Sequence, residues 1–270
     1  MRLFFKLIIM SFLIILPACS NNDLETGPKR EVVLYSEKTL SVDGEKEVVF
    51  DVDYGNMEIY CWDKKELKFE IAKRLRGMYK KERLEEMLKD FSVEIKQCGD
   101  TGFFKSRYKG NIKKPADKSL DVKATIPRNT RLIKCSIGNG SIKVLDDINC
   151  DMEIDAREAN VEINTIRGML ISKSETGWVK ISGGRLKPGT AVNTKKGSMY
   201  IKTELEKKGQ YSFEAGVGNV ELSLPEGTDI EIVSQGSVGI NEFNTVLSPL
   251  KLSVKSELGK VNIKKYSSEK

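Results

Sequence analysis

Five carboxylates crowd one short stretch of this 270-residue chain: Asp146, Asp147, Asp151, Glu153 and Asp155. Carboxylate oxygens suit Ca²⁺, and paired carboxylates hydrolyse glycosidic bonds. Asp151, Glu153 and Asp155 alternate along the chain, however, as the outward positions of a single strand would, about 6.6 Å apart. No EF-hand or nonapeptide Ca²⁺ pattern surrounds them. A solvated strand face is expected, with no metal, no cofactor and no catalytic residues. Histidine is absent, which removes the commonest general base, the commonest zinc ligand and every Ser-His or Cys-His nucleophile arrangement. Chemistry on paired carboxylates or lysine stays open. Trp62 and Trp178 could stack on sugar rings or cap turns. Lys195-Lys196 and Lys207-Lys208 could meet anionic wall polymers or lipid headgroups, or be solvated corners.

A different chemistry attaches to Cys19. Arg2 and Lys6 give a basic start, Leu7 to Leu16 an apolar run, and small Ala18 stands directly before the cysteine. That is the grammar of an export signal, and the run is half of the roughly 20 residues a membrane-spanning helix needs. Leu16-Pro17-Ala18-Cys19 resembles the lipobox of bacterial lipoproteins. The resemblance implies a signal peptide over 1–18 and lipid on Cys19, so that the membrane becomes a partner at its extracytoplasmic face. An ordinary cleaved signal, with Cys19 incidental, is the alternative. Residues 19–30 then form a lipid-anchored tether, polar and broken by Gly27-Pro28. At about 3.5 Å per residue it reaches roughly 40 Å.

The formal charge is +6, from 45 Lys and Arg against 39 Asp and Glu. Loss of Arg2 and Lys6 leaves +4, a small excess over interspersed charges. A mixed-charge surface is expected, and no nucleic acid partner. Beyond Cys19 lie Cys61, Cys98, Cys135 and Cys150, an even number that permits disulfides outside the cytoplasm.

The elements that must position these groups are strands. Val48–Val52, Met57–Tyr60 and Leu67–Ile71 read as strands, with a Gly55-Asn56 turn between the first two. Leu84, Met87, Leu88 and Phe91 fall on one face of an amphipathic helix over about 80–91, suited to covering a sheet edge. Gly99 to Lys118 reads as a long exposed loop.

Past Leu120 the chain repeats. Gly140-Ser141-Ile142-Lys143-Val144, Ala159-Asn160-Val161-Glu162-Ile163 and Gly177-Trp178-Val179-Lys180-Ile181 open the series. It continues from Gly197, Gly218, Gly236 and Gly259, at intervals of 19, 18, 20, 21, 18 and 23. A second alternating strand precedes each corner. The chain is therefore expected to be mainly β, with a β-solenoid (single-stranded β-helix) of about seven ~20-residue coils over 126–266. An N-terminal α+β region over 31–125 precedes it and a frayed end, 267–270, follows. An antiparallel β-sandwich competes, but does not require neighbouring units to resemble each other. Aligning Gly140 with Ala159 sets Cys135 opposite Ile154 and Cys150 opposite Arg131. Those cysteines are then about 13 Å apart along the strands, too far for a disulfide. Cys61 and Cys98 stay open.

The segment Gly55-Asn56-Met57-Glu58-Ile59-Tyr60-Cys61-Trp62-Asp63-Lys64 through Glu70 resembles the N-terminal signature of a bacterial putative adhesin family, the DUF4097 group. The helix with Leu84-Glu85-Glu86, the Ile126-Pro127-Arg128-Asn129-Thr130 entry and the small-residue corners are similar to it too. Over roughly 45–265 the resemblance implies a β-solenoid and a cell-envelope setting, and brings no catalytic residues. Ser, Trp, Asn or Lys follows the corner glycine here, where that family often has Asp.

The chain is thus expected to be an extracytoplasmic, lipid-anchored binding or scaffold module, not an enzyme. An envelope protein or cell-wall polymer is its expected partner, and a monomer its expected state. An accessory of an envelope-stress or sensory membrane system is the alternative. A carbohydrate-active β-helix enzyme using paired carboxylates is a further one.

Overall fold

The computed structural model describes residues 28–42, 46–110 and 116–267. The signal peptide, Cys19 and the start of the tether lie outside the described residues, as does the end of the chain from 268. Strands make up 74% of what is described, and their alternation follows the sequence closely. In β2 (Glu47–Trp62), Val48, Phe50 and Val52 are buried, then Met57 and Ile59. The inward phase switches from even to odd numbers across Gly55, because a corner inside the strand shifts the period of two by one residue. The expected turn at Gly55-Asn56 is therefore corrected: it is a bend within one continuous strand. The same switch recurs in β7 (Leu132–Ile148) and β8 (Asp151–Gly168). They follow β3 (Glu66–Gly77), β4 (Phe91–Cys98), β5 (Thr101–Tyr108) and β6 (Ala116–Pro127).

Parallel pairing joins the repeated segments. Gly55 lies beside Gly140, and Gly140 beside Ala159. Cys135 pairs with Ile154, in the register expected from the sequence. The ladder runs on through β9 (Leu170–Thr176) and β10 (Val179–Ile181) into β12 (Ala191–Lys196) and β13 (Met199–Lys202). Two short strands, β11 (Gly184–Leu186) and β14 (Glu204–Leu205), extend the end of β8 sideways. Next come β15 (Gly209–Val217), β16 (Val220–Pro225), β17 (Glu231–Asn241) and β18 (Leu250–Tyr266).

The β-solenoid expectation is overturned: the strands form a closed eight-strand parallel β-barrel with extra strands. Seven coils of a solenoid would stack in chain order, apart from the N-terminal region. Instead β18 lies between β15–β16 and β17, so the last two repeats exchange places. At the other end β2 joins the same ladder, pairing with β7 as well as with β5 and β6. Similar intervals in the sequence fix which residues pair, but not the order in which strands sit.

The N-terminal part also departs from expectation between Gly99 and Lys118. Most of that segment is β5 and the start of β6, not an exposed loop, and Phe104 and Ser106 are buried. Its Lys and Gly content hid a period of two that only one face needs to satisfy. β1 (Arg30–Ser41) and β6 both run antiparallel to β3. The helix is shorter than the sequence suggests: α1 (Lys81–Met87), continued by a 3-10 turn over Leu88–Asp90. It packs on β1 and β3 and buries Leu84, Met87, Leu88 and Phe91, all four residues of the expected apolar face. Phe69 and Phe104 stack nearby, 5.4 Å apart, with Phe50 beside them.

One corner shows why glycine is needed. Gly140 has φ +139°, and a Cβ there would sit 1.7 Å from the Gly55 carbonyl oxygen. The bend brings adjacent strands so close that the neighbouring carbonyl occupies the space of a side chain.

Candidate functional site

A groove of about 800 Å³ lies where β1, β3, β6, β2 and β7 meet. It forms because the antiparallel β1–β3–β6 layer is joined through β6 to the parallel ladder at β2. Register places its residues in rows. One row runs Glu37, Glu70, Lys123, Glu58, Lys143. The next begins Tyr35, Ala72, Asp121, and continues with Asn56 and Ser141. Ile71, Ala72 and Val122 form the buried apolar floor.

Asp121 organises the second row. Its carboxylate accepts from Arg74 Nε at 2.8 Å, Asn56 Nδ2 at 2.9 Å and the Asn56 backbone N–H at 3.2 Å. Ser141 Oγ then donates to Asn56 Oδ1 at 2.8 Å. Hydrogen bonding to Asp121 raises the Arg74 pKa above its usual value. In the first row, Lys68 hydrogen-bonds Glu70 and holds that carboxyl below the usual range, helped by Lys123. Tyr60 donates to Glu58 Oε2 at 3.2 Å, and burial, then Glu58, raises its pKa. Lys123 lies 4.9 Å over the Tyr60 ring. Tyr35, 70% exposed, rises at the rim. The groove presents charges of both signs, amide and hydroxyl groups and one free aromatic face on a rigid floor.

The column after the corner glycines, where other residues stand in place of Asp, has a structural role. Asn160 Oδ1 accepts the Trp178 N–H at 3.1 Å, and Ser198 Oγ accepts the Asn219 N–H at 3.0 Å. Asn219 Oδ1 accepts the Lys260 N–H at 2.9 Å. Each side-chain oxygen satisfies a backbone donor of the adjacent strand, left out of the ladder at the bend. Trp178 sits in this column beside a corner.

The carboxylates singled out in the sequence are not brought into one site. Asp146 accepts the Cys61 N–H at 2.8 Å. Asp147 pairs with Arg167, Asp151 with Lys187 and Glu153 with Lys134. Asp155 follows Glu153 on the outward side of β8, as the alternation in the sequence implied, and lines a second groove with Lys173 and Lys195. Among the described residues no group of three or more His, Cys, Asp or Glu could hold a metal ion. The carboxyls displaced from their usual range (Glu70, Glu94, Asp100, Asp117, Glu175 and Glu257) are all displaced downward, chiefly by lysine hydrogen bonds. Trp62 Nε1 donates to the Glu66 carbonyl at 2.7 Å, tying down its own turn. Lys195 pairs with Glu175, whereas Lys196, Lys207 and Lys208 are exposed. Cys61, Cys98, Cys135 and Cys150 are all free thiols. Cys19 lies outside the described residues.

Sequence reasoning missed the groove, because its rows depend on β1 and β6 pairing with β3. One signal was available: Leu34 and Tyr35, adjacent and both exposed, break the alternation of β1.

No family model matches the chain, and no curated protein matches it. Solved structures similar to it include a putative cell adhesion protein of Clostridium sporogenes. That likeness has 12% identity and a TM-score of 0.40, covering 87% of this chain and 100% of that one. A putative adhesin of Parabacteroides distasonis has 12% identity and a TM-score of 0.46, over 86% and 97%. A putative lipid binding protein of the same species has 11% identity and a TM-score of 0.30, over 86% and 96%.

Proposed function

We propose that this chain is a non-catalytic binding module of the bacterial cell envelope. It is held at the extracytoplasmic face of the membrane by lipid on Cys19 and contacts wall polymer through the β1–β7 groove. The observation that carries this reading is the groove itself: Tyr35 stands exposed beside the interlocked polar groups of Asp121, Asn56, Arg74 and Ser141. An aromatic face next to fixed hydrogen-bonding groups suits a sugar chain, since the ring stacks on C–H surfaces while the polar groups meet hydroxyls. Paired-carboxylate hydrolysis needs a carboxyl held protonated by a raised pKa. Glu70, the groove carboxyl with a displaced pKa, is shifted the other way.

The test is a photo-crosslinking residue at Tyr35 in the full chain, activated in cells, followed by purification from membranes. Recovery of glycan-bearing wall fragments is expected. Recovery of one defined membrane protein instead would overturn the polymer reading in favour of a sensory accessory. Mass spectrometry of the mature N-terminus tests the anchor, and an unmodified Cys19 would remove it.

A further inference from the structure

The two ends of the strand ladder are finished differently. At the β1 end, α1 covers the apolar interior, and edge strand β1 carries Arg30, Glu31, Glu37 and Lys38. Charged side chains of this kind discourage pairing with another chain. At the opposite end β17 pairs with β18 alone among the described residues. Of its eleven residues only Glu231 is charged, and it contains neither lysine nor proline.

One inward position is also left exposed there. Register aligns an inward column from Val122 and Met57 through Ile142, Val161, Val179, Met199, Val220 and Val261 to Val238. Every member but the last is at most 1% exposed; Val238 is 47% exposed. Its inward position has no strand beyond it. Val233, Ile240, Val246 and Leu247, also exposed, lie around the same end, Leu247 completely so. An uncharged edge strand with exposed apolar residues around it is a ready template for pairing with another chain.

We propose that a second copy of this chain supplies the missing cover, by antiparallel pairing of β17 with β17 about a two-fold axis at Gly236. Three features favour a copy over a different partner. The edge is nearly uncharged, so it matches a surface as neutral as itself. Pairing about Gly236 sets Glu231 opposite Asn241 and Ser234 opposite Val238, with no like charges facing. The pairing also closes: a two-fold contact uses the β17 edge of both copies, and the edge strands β1 and β4 carry charged side chains that discourage extension into a fibre. Under this proposal the chain pairs as a dimer, where the sequence led to the expectation of a monomer.

The test uses full-length chain carrying Cys98→Ser, which removes the exposed thiol among the described residues. Two differently tagged copies, one with Gln235→Cys and one with Ser237→Cys, are co-expressed and oxidised in the cell. The geometry predicts a disulfide-linked species carrying both tags. Adding Val238→Lys to both copies should reduce it at least tenfold, with the circular dichroism spectrum unchanged. Folded copies that give no two-tag species would overturn the proposal. So would equal cross-linking by a Tyr35→Cys pair at the opposite end, or a cross-link that survives Val238→Lys. Sedimentation of the detergent-solubilised chain gives a second readout, two chains falling to one with Val238→Lys. A single chain for the unsubstituted protein at about 100 µM also contradicts it.

Discussion

Replacing Gly140 by alanine tests the packing at the corners with a single methyl group. The new Cβ would stand 1.7 Å from the Gly55 carbonyl oxygen and 2.6 Å from its carbon, at φ +139°. Ordinary contact needs about 3.2 Å or more, so the two strands must part by roughly 1.5 Å, beyond hydrogen-bonding reach. Forcing a residue with a side chain into this backbone region costs about 1–3 kcal/mol, and one or two lost ladder bonds about 1 kcal/mol each. Together about 2–5 kcal/mol should be lost, or about 10 °C in Tm for a domain of this size. Gly227→Ala is the matched control: its φ is +77°, but nothing lies within 4 Å of the added atom. It should cost only about 1 kcal/mol. Urea denaturation followed by circular dichroism measures both. If Gly140→Ala is no more damaging than Gly227→Ala, close approach of the strands does not explain the glycine corners.

Three further expectations follow from the interior and the charges. Ser172 is fully buried between Ile154 and Val192, and its hydroxyl has no partner, so Ser172→Ala should stabilise by about 1 kcal/mol, read as a higher urea midpoint. Thiol labelling of the native protein at pH 7 should modify exposed Cys98 first. Cys61 should resist, because burial and then Asp146 raise its pKa to about 11, and burial raises Cys150 to about 12 and Cys135 further; all should label after denaturation. With no histidine, the urea midpoint should be flat from about pH 5 to 8. Glu70, Glu94 and Asp100 titrate below their unfolded values, so their stabilisation is present above about pH 4.5 and disappears as pH falls through the lower folded values.

Much of this fold is legible in the sequence where local pattern and pairing coincide. The corners at Gly140, Ala159, Gly177, Gly197 and Gly218 and the inward residues after them were readable, because a period of two beside a fixed corner admits one register. Cys135 beside Ile154 follows from the same alignment. Strand order was not readable. Leu252 and Ile232 suit the interior equally, and nothing local says that β18 precedes β17 in space. Nor did the β5 segment declare itself, since Lys105 and Arg107 alternate with buried Phe104 and Ser106 in a stretch that reads as polar. The groove was hidden for a related reason. Glu37, Glu70, Lys123 and Glu58 are distant in sequence and become neighbours through two antiparallel junctions and one parallel one.

The most direct test of the binding account is co-sedimentation of the full chain with purified, insoluble wall polymer across a concentration series. Saturable binding is predicted, weakened at least tenfold by Tyr35→Ala combined with Lys143→Glu and unchanged by Lys173→Glu, which lies outside the groove. Equal binding by all three proteins, or no binding by the unsubstituted chain, would contradict a polymer-binding groove.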